Sequence, residues 1–511
     1  MVSSLNRRML LKASGAGVVA MALRCLAPGA VAPWLAGCGG SLAARTPAGK
    51  LNFIFILLDD MGWRDLACYG SPFYETPGID RLAAQGMRFT DGYAACPVCS
   101  PTRASIMTGK YPARLRLTEF IGGRKAGKLL PAPYLDHLPL EEVTLGEAFK
   151  EAGYATFLAG KWHLGGKAYY PDRQGFETIV GVDGGMKRFS PYKNANLPDG
   201  PPGEYITDRL TEESLKFLDA HRAGPFLLYL SHYAVHIPIE AKEEMVKRFK
   251  EKAAGLPAGL GLRFARDLGR EVRVVQDHAA YAAMIQSVDE CVGRLMKKLD
   301  ELGLADSTAI VFMSDNGGLS TAEGSPTANV PLRAGKGWLY EGGIREPLIV
   351  KWPGVARPGS VCQEPVISND FYPTMLEMAG LPLRPDQHAD GVSLVPLLKG
   401  AGVPKREALF WHYPHYSNQG GGPGGAVRAG DFKLIEDYED NHLELYNLKD
   451  DIGEKNNLAA RMPEKAEALR KMLHDWRQSV GAVMPAPNPD FARKPPAGTA
   501  MRTSPTEPIE E

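Results

Sequence analysis

Asp59, Asp60, Asp315 and Asn316 offer hard oxygen donors, the ligand type of Ca²⁺ or Mg²⁺ rather than of Zn²⁺. Arg103, Lys161 and Lys336 are cations able to hold several negative oxygens, and His163 and His236 can give or take protons. Together they describe a site for an oxyanion gripped by a metal and by charge-assisted donors. What they lack is a nucleophile. The stretch CPVCSPTRASIMTG, Cys96 to Gly109, offers two readings of one. Cys96-x-x-Cys99 alone suggests a redox dithiol or half a zinc site, yet no second C-x-x-C and no H-x₃₋₅-H lies nearby to complete four ligands. The other pattern, C-S-P-T-R, begins at Cys99.

Taken one at a time, these residues have ordinary structural explanations. An Asp at a strand end forms a turn or caps a helix, a lone His satisfies a core, and a Lys in a glycine-rich loop is solvated. Their positions argue otherwise when read together. The apolar run Phe53–Leu58 reads as a strand buried on both faces and ends at Asp59-Asp60. Lys161 and His163 (GKWHLG) follow a strand near 155–158, Ser231 to His236 follow a strand at 226–230, and Asp315-Asn316 follow one at 309–313. In open α/β sheets ligands bind beyond the carboxyl ends of the strands, where all these residues fall. Thr76-Pro77 offers an N-cap and a first-turn proline to a helix ending at Gly86. Leu145 to Gly153 reads as another, and Ile285, Val288, Val292, Leu295 and Leu299 share one face of a helix from about 280 to 302. A short helix opening within 102–108 is ended by Gly109. A residue at its N-terminus feels the positive end of the helix dipole.

The expected fold is α/β: a sandwich around a large, mostly parallel sheet, over 46–400. A smaller α+β subdomain follows over 401–485. It has short strands at 432–435 and 443–446, an amphipathic helix at 463–478, and a flexible loop at the glycine run 420–425. Beyond Val483 the chain is Pro-rich and polar, a loosely held tail, with 486–511 set apart as flexible. The chain has 511 residues, 44% of them hydrophobic, and 59 basic against 59 acidic side chains. With no net charge and no basic run, nothing attracts it to nucleic acid.

Residues 1–45 read as an export signal and linker. Arg7-Arg8 before an apolar stretch resembles a twin-arginine signal, served by the twin-arginine export machinery, and Leu35-Ala36-Gly37-Cys38 resembles a lipobox whose cysteine becomes lipidated. The expectation is a bacterial protein that is periplasmic or held to the membrane as a lipoprotein. Of seven cysteines, Cys25 and Cys38 lie in the signal, which leaves an odd five in the body, too sparse for a disulfide scaffold.

Cys99-Ser100-Pro101-Thr102-Arg103 followed by Thr108-Gly109, with LLDDMGW, GKWHLG, FMSDNGG, GKGWLYEGGIREP and ELYNLKDDIGEKNNLA, resembles the type I, formylglycine-dependent sulfatases of the alkaline phosphatase superfamily. The resemblance spans about residues 51–476 and implies that the sandwich is alkaline-phosphatase-like. It implies that Cys99 is converted by a formylglycine-generating maturation enzyme to 3-oxoalanine (formylglycine). It also implies that Asp59, Asp60, Asp315 and Asn316 bind Ca²⁺, with Mg²⁺ as the alternative. Arg103 and Lys161 would hold the sulfate or the aldehyde hydrate, His236 with Lys336 would protonate the leaving oxygen, and His163 would help deprotonate the hydrate. One hydroxyl of the hydrate attacks sulfur in line; loss of the second hydroxyl's proton then expels sulfate by C–O cleavage. A serine would be trapped as its ester. Glu346 stands where the family commonly has Val, outside the catalytic positions.

The substrate is expected to be a sulfated saccharide, or else a small sulfated molecule. Trp411 to Tyr416, with His412 and His415, forms a candidate substrate rim, for which core packing is an equal reading. Asp183, Lys187 and Arg188 read as a surface loop in preference to a second rim. A phosphomonoester or phosphodiester hydrolase of the same superfamily, and a non-catalytic glycan-binding lipoprotein, are the alternative functions.

Overall fold

A computed structural model describes residues 49–182, 187–194, 196–257 and 261–491. The export signal, Cys25, Cys38, Asp183 and the last twenty residues lie outside the described residues. Eight strands follow one another across the main sheet in the order Ser360–Cys362, Met87–Tyr93, Arg345–Lys351, Thr308–Ser314, Asn52–Leu58, Phe226–Ser231, Ala155–Gly160 and Thr178–Val180, and Val366–Ile367 also pairs with Met87–Tyr93. Arg345–Lys351 runs antiparallel to both neighbours, and the remaining pairings are parallel.

The Asn52–Leu58 strand is buried at every position because it lies mid-sheet between two cores. Ile54, Ile56 and Leu58 join one core, shared with the helices Pro77–Gln85, Ile206–Ala220 and Ala279–Glu301. Phe53, Phe55 and Leu57 join the other, shared with Cys99–Thr108, Leu145–Glu151 and Phe371–Met378. This is the period-two alternation of a strand covered on both faces. The expected faces of the long helix hold, since Ile285, Val288, Val292, Leu295 and Leu299 are all buried. Thr76 departs from its expected role: its hydroxyl makes no cap and instead donates to Asp80 while accepting from the Ala67 N–H.

The C-terminal part contains four strands rather than two: Leu409–Tyr413, Gly424–Ala429, Phe432–Asp437 and Leu443–Asn447, all antiparallel. Helix Pro463–Ser479 packs Leu469 and Leu473 onto Val427, Leu434 and Leu445 on one face. Trp411, Tyr413 and Ala426 turn the other face toward Tyr93, Val98 and Tyr111. The described residues fall in one compact unit, so this sheet is built into the main body.

The glycine run is not a free loop. Gly424 and Gly425 open the second strand, and a Cβ on Gly421 would collide with the carbonyl oxygen of Gly337. These glycines serve close approach, which their composition does not distinguish from flexibility. The tail is also tied further than expected. Ala486–Pro487 pairs with Leu129–Leu130, and the Asn488 side chain donates to Gly127 O at 2.8 Å.

Candidate active site

The strand register brings the separated motifs to one edge. Beyond the strands, the backbone continues the ladder pattern: Asp59 N–H donates to Ala234 O, Asp315 N–H to Leu58 O, and Lys161 N–H to Ser231 O. These bonds fix where each polar side chain leaves the sheet. Gly160 has φ +97°, and a Cβ there would strike the Ser231 carbonyl, so only glycine lets the lysine loop close over its neighbour. Asp60 (φ 65°) and His163 (φ 57°) both sit in the left-handed region, an unfavourable conformation for residues with a side chain that is held by their surroundings.

Helix Cys99–Thr108 begins at Cys99 itself, three residues before the expected start, and ends at Gly109 with φ +71°. Val98 before it supplies no side-chain cap, so residue 99 meets the helix N-terminus directly. The Cys99 thiol is buried, 3.5 Å from Asp59 Oδ1, and burial pushes its pKa up. Cys96 points elsewhere: its thiol lies 3.9 Å from Thr118 O, and both cysteines are free. The dithiol reading therefore has no geometric support.

Ligand atoms of Asp59, Asp60, Cys99 and His236 all lie within 4.8 Å of one another. Lys161 Nζ is 2.7 Å from Asp59 Oδ2, and Lys336 Nζ is 2.7 Å from Asp60 Oδ1 and 2.8 Å from Oδ2. Arg103 presents its fork to Asp315 Oδ2, Nε at 2.8 Å and Nη2 at 2.6 Å, while Nη1 donates to Ser231 Oγ at 2.7 Å and Lys161 O at 3.1 Å. The Asn316 amide donates to Asp60 Oδ1 at 2.8 Å, and its own Oδ1, buried, has no hydrogen-bond partner among the described residues. Nine of the ten predicted catalytic and metal positions are thus joined in one cluster, and His163 follows Lys161 by two residues and feels its charge.

Burial alone would raise the Asp59 pKa, but Lys161, His236, Arg103 and Lys336 outweigh it and hold the carboxyl well below its usual range. Asp315 goes the other way, to about 6, because burial and the charges of Asp59 and Asp60 exceed the pull of Arg103. Burial and then Lys336 push His236 down to about 4, and burial with Lys161 holds His163 well below its ordinary value. Both imidazoles are therefore neutral at pH 7. His236 Nδ1 lies 2.7 Å from Ile237 O, which fixes the proton there and leaves Nε2 facing Asp60 Oδ2 at 3.7 Å.

One candidate rim and one expected surface residue need correction. His412 is buried, with Nδ1 against the Tyr438 hydroxyl and Nε2 against Val483 O, and His415 is buried with Nε2 against Thr118 Oγ1. Both are committed to packing, and Trp411 donates its indole N–H to Ala94 O. Arg188 is not on a surface loop: it is 1% exposed and donates to the carbonyls of His236 (2.6 Å) and Ile237 (3.0 Å). It clamps the turn that carries His236. Ser231, whose hydroxyl receives Arg103, is a further site residue that spacing left unassigned.

The residues fit a divalent cation: three buried carboxylates with an unpartnered amide oxygen make a hard-oxygen donor set. A large, mostly parallel sheet with three carboxylates and three cations at its carboxyl edge suits an enzyme that acts on oxyanion esters. The chain belongs to the Sulfatase family, whose model matches residues 51–381, and a model described as N-sulphoglucosamine sulphohydrolase, C-terminal, matches residues 334–479. It is 33% identical to arylsulfatase A of Homo sapiens (86% of this chain, 89% of that protein). It is 31% identical to N-acetylgalactosamine-6-sulfatase of Homo sapiens (88% of each). The solved structure of Ps i-CgsB in complex with k-i-k-neocarrahexaose superposes with a TM-score of 0.70 at 27% identity, covering 84% of this chain and 93% of that one. The protein is a sulfatase of alkaline-phosphatase-like fold.

Proposed function

We propose that the chain hydrolyses sulfate monoesters of carbohydrates through formylglycine made from Cys99, with Ca²⁺ bound by Asp59, Asp60, Asp315 and Asn316. The observation that carries this reading is the placement of Cys99 at a helix N-terminus, with its thiol 3.5 Å from a carboxylate of the candidate metal cluster. The carbohydrate part is supported by the relative named for N-acetylgalactosamine 6-sulfate and by the saccharide in the Ps i-CgsB complex.

As its hydrate, formylglycine supplies an oxygen nucleophile and a second hydroxyl whose deprotonation releases sulfate. The cation supplies positive charge that polarises the ester. Lys161 and Lys336 each spend N–H donors on a carboxylate and keep others for sulfate oxygens. Arg103 anchors Asp315 and orients the edge of the site. His163, neutral and buried, is suited to accept a proton. His236 is neutral before substrate enters, and a sulfate ester beside Nε2 favours its protonated form, so it becomes a donor with the substrate in place. Export by the twin-arginine route, with lipidation at Cys38, would deliver the folded and matured enzyme to the periplasm.

The test has two readouts on protein from a host able to mature it. The peptide containing residue 99 should carry the mass of an aldehyde or its hydrate, and metal analysis should find calcium. Sulfate should be released from N-acetylgalactosamine 6-sulfate or neocarrahexaose, and Cys99→Ala should abolish release. An intact thiol at residue 99 in active protein would sink the formylglycine step, and faster turnover of phosphate esters would favour the phosphoester alternative.

A further inference from the structure

Glu323 lies in the loop between Asn316 and Lys336 and has no part in the chemistry above. Its backbone is left-handed (φ 55°), as is that of Ser325 (φ 43°), so the loop holds two side-chain-bearing residues in a conformation they disfavour. The side chain is exposed, and the charges of Lys336 and Asp60 act on it. One carboxylate oxygen accepts from Gln419 Nε2 at 2.8 Å. The other receives no hydrogen bond from any described residue.

Gln419 is itself firmly seated. Its Oε1 accepts from Ser417 Oγ at 2.6 Å, and its carbonyl receives Arg270 Nη1 at 2.6 Å and Trp338 Nε1 at 3.1 Å. Ser417 packs against Gly337, the neighbour of Lys336, where a Cβ would collide with its hydroxyl. A rigid chain of contacts thus runs from Lys336 through Ser417 and Gln419 to an exposed carboxylate. Orienting groups of this kind distinguish a recognition element from a solvated surface charge.

We propose that Glu323, seated by Gln419, is a specificity residue: its carboxylate accepts hydrogen bonds from hydroxyls of the sulfated sugar and repels a second sulfate or a carboxylate at that position. The inference rests on the carbohydrate reading. A carboxylate is acceptor-only and pairs with sugar hydroxyls, which donate. In the same place it is a like charge against any polyanionic saccharide, so recognition and rejection come from one group. The subsite therefore takes a singly sulfated sugar whose neighbouring position is hydroxylated.

The experiment compares kcat/KM of wild-type enzyme, Glu323→Gln and Gln419→Met on singly sulfated hexoses and hexosamines, their disulfated counterparts, and 4-nitrophenyl sulfate. Glu323→Gln should lower the preference for mono- over disulfated sugar by about tenfold, chiefly through KM. Gln419→Met should move the same ratio in the same direction by less. Melting temperatures near that of wild type show that the fold is intact. A preference unchanged within about twofold in Glu323→Gln, with wild type cleaving saccharide sulfates, overturns the subsite alone. Wild type that cleaves 4-nitrophenyl sulfate and no saccharide overturns the carbohydrate reading and this inference with it.

Discussion

Replacing Arg103 with Met tests whether the site is an interdependent set of buried charges. Arg103 is 2% exposed and is the fork between Asp315 and Asp59, the latter 3.6 Å from Nη2, while also serving Ser231 Oγ and Lys161 O. A Met side chain fills much of the space but leaves Asp315 Oδ2 without the guanidinium that faces it. Removing one member of a buried pair costs about 3–5 kcal/mol, mostly from the charge left behind. Unfolding by denaturant at pH 7, with chelator present so that a bound cation does not mask the deficit, should show a loss in that range. The double variant Arg103→Met/Asp315→Leu removes both charges and should recover at least about 2 kcal/mol of it, though neither protein turns over substrate. A single variant within about 1 kcal/mol of wild type would refute the reasoning. So would a double variant no more stable than the single.

Arg188→Met should lower kcat by about 10- to 100-fold, since misplacing His236, the proposed proton donor, costs on this scale, and should shift the pH profile while leaving far-UV circular dichroism unchanged. Glu346 is fully buried with neither carboxylate oxygen hydrogen-bonded to a described residue, and burial, then the charges of Asp315, Asp60 and Asp65, raise its pKa well above the ordinary value, which favours the protonated form in the folded state. A raised carboxyl costs nothing below its unfolded pKa of about 4.3 and destabilises increasingly as pH rises above it. Glu346→Gln should therefore gain stability relative to wild type between pH 4 and 8, and parallel stability–pH curves would count against this. His412→Ala should lower stability by about 1–3 kcal/mol through the orphaned Tyr438 hydroxyl and Val483 carbonyl, with KM unaltered in a sulfate-release assay.

Much of the site was legible because its chemistry depends on residue type and on position along a strand. The run FIFILL could only be a strand buried on both faces, and Asp59-Asp60 directly after it had to emerge at the carboxyl edge. The same logic placed Lys161, His236 and Asp315. Misreadings came where a residue type is neutral between uses. The histidines of WHYPHY look alike whether they line a cleft or fill a core, and only their contacts with Tyr438 and Thr118 decide. The glycines of 420–425 read as slack, although Gly421 exists to let two backbones meet.

The chain's residue types and their spacing determined the family, the sheet and the charged set at its carboxyl edge, because those follow from local periodicity and from side chains that few other chemistries need. Tertiary structure alone decided which partner each charge takes, that Cys96 turns away from Cys99, that Arg188 holds the His236 turn, and that Gln419 holds Glu323. Those facts depend on distances between residues tens to hundreds of positions apart, which no local pattern encodes.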